Sequence, residues 1–156
     1  MSAYQANFIR SLFPPLSHDS FCRHYYPLSG AVSHGLFAVT VTNPNLLSRC
    51  FPKYDWAIGN AIFFNATLGA GVYAYHRAHM LRVAPGTRVM YCVFAAGIFS
   101  FGSVMLWATS SVVFLPRNVL VRSLFALLTS GCLLAIGRDY LRYVDTLLAD
   151  EEASLS

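Results

Sequence analysis

A chain of 156 residues that is 56% hydrophobic and only 12% charged, with a formal net charge of +4, lies outside the range of soluble domains, which carry about twice that charged fraction. The same composition excludes a disordered chain and a coiled coil, and a mean hydropathy of +0.49 leaves a small polytopic membrane protein, an all-α transmembrane helical bundle. Four helices are expected, over residues 27–42, 56–75, 89–115 and 119–137, with three plus a re-entrant or surface segment as the alternative.

Residues 1–26 read as a polar arm. No apolar core region and no small-residue cleavage site follow the start, so the arm is not read as a secretory signal. The first span, 27–42, is the weakest: sixteen residues reach about 24 Å at the helical rise, short of a hydrocarbon core of about 30 Å. It must borrow neighbouring residues or thin the bilayer. The connection after it carries Pro44 and Pro52 as breakers.

The second span, 56–75, carries Asn60 and Asn65, then the small run Gly69, Ala70 and Gly71, and exits at His76 and His79. Asn65, Ala66 and Thr67 spell a glycosylation sequon, but a mid-membrane asparagine is no substrate. The amides are read as ties between helices. Small residues four apart, Ala31 with Gly35, Ala57 with Ala61, Ala96 with Ser100 and Ala126 with Ser130, allow close backbone approach in lipid. The bare turn at Gly69 and Gly71 places the second helix at the centre of contacts. His34 and His76, on antiparallel helices, are the one pair able to clamp a haem b. Against that reading, their depths match poorly, and a bond from His34 to a neighbouring carbonyl or hydroxyl is the preferred account.

The third span, 89–115, is uncharged, and only Pro116, Arg117 and Asn118 separate it from the fourth, so the two are expected to form a tight antiparallel hairpin. Arg122, just inside the fourth span, either snorkels to the interface or contacts a lipid headgroup or a partner's carboxylate. Residues 138–156 extend this helix into an acidic tail. Arg138 and Arg142 are candidate lipid or partner contacts, with weak Asp139–Arg142 and Arg142–Asp145 pairs along the helix. Leu141, Val144, Leu147 and Leu148 form an apolar stripe suited to docking on a partner.

Basic residues set the orientation. Arg10, Arg23, Arg77, Arg82, Arg88, Arg138 and Arg142 fall on the side of both termini, against Arg49, Lys53, Arg117 and Arg122 on the other, which favours a cytoplasmic or matrix-side location for the termini. The four cysteines are scattered without a CxxC, and Cys22 and Cys50 fall on opposite sides. The expected spans contain no Asp or Glu, so a proton relay has no carboxylate to use. Nucleotide-binding, hydrolase and nucleic-acid-binding patterns are missing. The size is similar to that of the membrane-associated glutathione and eicosanoid enzymes, but their intramembrane arginine-and-glutamate motif is absent.

The resulting expectation is a non-enzymatic accessory subunit, structural or assembly, of a multi-subunit membrane complex. Its partners would be other membrane subunits and lipid. The mitochondrial inner membrane is preferred, in a respiratory complex or ATP synthase, over the endoplasmic reticulum or a plastid. A haem- or quinone-binding anchor of an electron-transfer complex is the alternative, followed by a small autonomous carrier or enzyme.

Overall fold

The computed structural model describes residues 15, 17–114 and 116–155. Most of the expected N-terminal arm, with Arg10, and Leu115 at the end of the third expected span lie outside the described residues. The described chain is helical with no strand in it. Six helices follow in order: α1 (Tyr26–Thr42), α2 (Pro44–Cys50), α3 (Asp55–Tyr75), α4 (Ala78–Leu81), α5 (Pro85–Val113) and α6 (Val119–Leu155). One turn at His18–Ser20 and a π-helical stretch, Phe21–Tyr25, lead without a break into α1.

Proline writes most of the boundaries. Asn43, before Pro44, has φ −129° and ψ 75°, and Phe51, before Pro52, has φ −138° and ψ 71°. Both leave the α region, as the proline ring requires of its predecessor. Pro44 and Pro85 open α2 and α5 in the first turn, where the missing N–H costs nothing. Pro27 lies inside a continuous helix, and its ring would collide with the carbonyl of Arg23; the π-helical widening at Phe21–Tyr25 accommodates it. The connection after the first long helix, expected to be loop, contains α2, because a proline at a helix start and a proline at a break look alike in sequence.

α1 is the hub, not the second long helix as expected. Gly30, His34, Ala38 and Thr42, four apart on one face, are all buried. α1 meets α3 antiparallel at a backbone crossing: a Cβ on Gly30 would stand 2.6 Å from the Gly69 Cα, and one on Gly69 would stand 2.5 Å from the Gly30 Cα. The closest approach thus uses Gly30, outside the expected pair of Ala31 and Gly35. α3 in turn lies on α5, with Gly71 against Ala96 and the Thr67 hydroxyl donating to Ser100 at 2.9 Å. α6 runs antiparallel to α1, pairing His34 with Ser130 and Thr42 with Arg122.

The expected hairpin of α5 and α6 is therefore a splayed one. Their backbones stand apart with α1 against both, and side chains bridge the gap. Trp107, 1% exposed, packs on Ala38 and Ala126, and its indole N–H donates to the Thr129 hydroxyl at 3.1 Å.

By length and apolar content two helices are able to cross a membrane, Pro85–Val113 and Val119–Glu151; only 22% and 11% of their apolar windows are buried. Most of their apolar surface is therefore uncovered within the chain. α1 is 17 residues long and α3 carries Asn60 and Asn65, so neither joins them on these grounds. The interior is built from Ala, Gly, Ser and Thr with Cys92, Asn43, His34 and Trp107, whereas Met90, Phe94, Met105, Val112 and Leu128 stand outside, each more than two-thirds exposed.

Candidate functional site

Three polar clusters organise the molecule, one in the middle and one at each end. The central cluster surrounds His34, which is 4% exposed. Its ring stacks on Phe99 with centroids 5.2 Å apart and meets Trp107 edge-on at 4.8 Å. The Nδ1 atom lies 2.7 Å from the Ser130 hydroxyl and Nε2 lies 3.3 Å from the Ser103 hydroxyl. Ser103 donates its own proton to the Phe99 carbonyl at 2.8 Å, so it accepts from His34 Nε2–H. That leaves Nδ1 to accept from Ser130. One neutral imidazole thus ties α1 to α5 and α6 with both nitrogens satisfied.

The second cluster closes the end where α1 and α5 stop and α6 begins. Arg122 spends its guanidinium on three backbone carbonyls: Nη1 to Thr42 at 3.0 Å, Nη2 to Ser111 at 3.0 Å and Nε to Pro116 at 2.9 Å. Thr42 is the last residue of α1 and Ser111 lies in the last turn of α5, whose final carbonyls have no partner within the helix. A cation there also offsets the negative end of each helix dipole. Asn43 adds a bond from Nδ2 to the Ser123 hydroxyl at 3.3 Å. Each of the three guanidinium nitrogens of Arg122 is thus engaged within the chain.

The third cluster lies at the opposite end, where α4 meets the C-terminal half of α6. Asp145 Oδ1 accepts from the His79 backbone N–H at 3.0 Å and lies 2.6 Å from His79 Nδ1, and its other oxygen pairs with Arg77. Burial alone would push the Asp145 carboxyl up; the hydrogen bonds from His79 and the charges of Arg77 and His79 outweigh it and hold the group below its ordinary value. At the same end of the helices, Arg88 lies over the Tyr75 ring, 3.6 Å from the centroid, and its Nε donates to the Tyr75 carbonyl at 2.9 Å. Asp145 therefore pairs across the fold, and not with Arg142 along the helix as expected. Asp139 makes no ion pair among the described residues.

The remaining expected residues separate cleanly. Asn65 reaches from α3 to α1, with Nδ2 2.8 Å from the Ser33 hydroxyl and 3.3 Å from the Ser29 carbonyl. Gly69, Gly71, Ala96 and Ser100 lie in helix contacts. Ala57 and Ala61 are exposed. Arg138 and Arg142 are exposed, with no ion pair among the described residues.

His34 and His76, the haem pair, are not brought together. With Gly30 and Gly69 at one level of an antiparallel pair, His34 and His76 lie eleven residues apart along the axis, roughly 16 Å. His76 Nδ1 bonds the Val72 carbonyl of its own helix at 2.9 Å. Among the described residues, no three of His, Cys, Asp and Glu are grouped to hold a metal ion.

No family model, curated protein or solved structure matches this chain. Its chemistry therefore rests on these contacts alone. Between α1 and α6 they leave one further feature, an outward-facing apolar groove of about 310 Å³ with Ser130 at its floor.

Proposed function

We propose that this chain is a four-helix integral membrane protein and a non-catalytic accessory subunit of a larger membrane complex, with the mitochondrial inner membrane as its location. One observation carries the reading. Polar groups of the helices bond one another inside, while the two most apolar helices leave their large side chains outside. A water-soluble fold arranges these classes the other way round, and a lipid-embedded one joins small and hydroxyl residues at its helix contacts.

The four-span reading is supported by length. The first helical run extends from His18 to Thr42, 25 residues with its lead-in, or roughly 37 Å at the helical rise. That removes the shortfall of the sixteen-residue segment. α3, at 21 residues, covers about 31 Å. The accessory reading is supported by the use of His34, Arg122 and Asp145 in holding helices together, and by apolar faces of α5 and α6 that this chain leaves uncovered. Seven of the eleven basic residues lie on the side of the termini, which favours a matrix-side location for both ends.

The test is sizing. Membranes are washed with alkaline carbonate, solubilised in mild detergent and separated by native electrophoresis. The protein is expected in the washed inner-membrane fraction, migrating far above its own 17.2 kDa. Migration as a lone small species overturns the accessory role, and release by carbonate overturns the membrane reading.

A further inference from the structure

We infer that the groove between α1 and α6 is a binding site for one acyl chain of an anionic phospholipid, with its phosphate held by Arg138. This inference rests on the membrane reading above. The groove is floored by Gly35, Ser130 and Gly131 and walled by Leu36, Leu127 and Leu134. It is open to the outside, since Leu36 and Leu127 are each 50% exposed. Its shape follows from the small residues: Gly35 and Gly131 offer no side chain to fill it, and the Ser130 hydroxyl is turned to His34. A lipid tail meets an apolar wall there and no unsatisfied donor.

Charge names the occupant. Arg138 stands one turn beyond Leu134, on the same face of α6, and Arg142 one turn further. Both are exposed and have no ion pair among the described residues. Eleven residues from Leu127 to Arg138 cover roughly 16 Å, the depth of one leaflet of a hydrocarbon core of about 30 Å. A tail laid from Leu127 toward Leu134 therefore brings its phosphate to a guanidinium, a charge-assisted donor suited to it. Tyr140 and Tyr143, 64% and 60% exposed, flank the same level, where aromatic side chains face lipid headgroups.

The test uses the full chain reconstituted in vesicles of phosphatidylcholine and phosphatidylglycerol, extracted in mild detergent and weighed by native mass spectrometry. Wild type is expected to retain phosphatidylglycerol in preference to phosphatidylcholine. Gly131→Leu adds an apolar side chain to the lining of the groove at a position where a Cβ meets nothing within 4 Å. It is expected to lose bound lipid of both kinds. Arg138→Gln is expected to keep lipid but to lower the preference for phosphatidylglycerol about fivefold, the effect of one basic side chain at an anionic surface. Equal retention of the two lipids by wild type, or unchanged retention in Gly131→Leu, overturns the site. A co-purifying polypeptide that Gly131→Leu displaces, with lipid content unchanged, gives the groove to a partner helix and also overturns it. Carbonate release of wild type would strike the membrane reading itself, whereas an integrated protein without bound lipid strikes only the groove.

Discussion

A single methyl group separates Gly69 from a residue that does not fit. The Cβ of an alanine there would lie 2.5 Å from the Gly30 Cα and 3.2 Å from the Gly30 nitrogen, and both are backbone atoms of a packed helix that cannot rotate away. Gly69→Ala is expected to lower stability by about 1–3 kcal/mol, the range for overpacking, and to stretch the Asn65–Ser33 bond one turn away. Gly97→Ala is the control, because a Cβ at Gly97 meets nothing within 4 Å and alanine is the better helix former. Thermal unfolding in detergent checks both: Gly69→Ala melting with wild type would show that the two backbones do not meet there. His34 makes the companion point about polarity. An isolated histidine in an apolar helix is costly, and this one is tolerated because two serines from two other helices complete it.

The elements are punctuated by residues that sequence displays openly. Pro44, Pro52, Pro85 and Pro116 stand at or beside helix boundaries because their rings act on the neighbouring residue, a local effect. The order of packing is not local. A search for small residues four apart passes over Gly30, whose neighbour one turn on is His34, and selects Ala57 and Ala61, which face outward. The docking of α4 on α6 is equally hidden, since His79 and Asp145 are separated by 66 positions. That docking carries a pH prediction. The Asp145 carboxyl titrates below its ordinary value of about 3.9, so its contribution is complete above that pH and is lost as pH falls through the lower folded value. Hydrogen-exchange protection factors of residues 138–155 are expected to be insensitive to this group from neutral to mildly acidic pH and to fall only in stronger acid. Asp145→Asn is expected to lower them several-fold at neutral pH, leaving His79 and Arg77 without their anion; unchanged protection would mean that α4 does not hold this helix.

For the molecule as a whole, the runs of apolar residues disclosed an all-helical chain and its long helices, but the clusters that join them were not readable. Arg122 shows why. Its position near a span end invites a reading in terms of water or lipid, while its acceptors are carbonyls of Thr42, Ser111 and Pro116, which every residue possesses and no motif marks. If the first helical run crosses the bilayer, Cys22 and Cys50 lie on opposite faces, with Cys50 exposed and Cys22 partly so. In sealed vesicles a membrane-impermeant maleimide is expected to label one of them from outside and the other only after the vesicles are opened. Labelling of both from the same side would remove that crossing. The same three carbonyls also impose an order of events during synthesis. Every helix except α6 is made before Arg122 and Ser130 exist, so a nascent chain ending at Asn118 has the ends of α1 and α5 uncapped and His34 with one nitrogen bare. Among the described helices the one translated last is the one that closes the bundle, and a ribosome stalled before it would leave a chain for quality control to find.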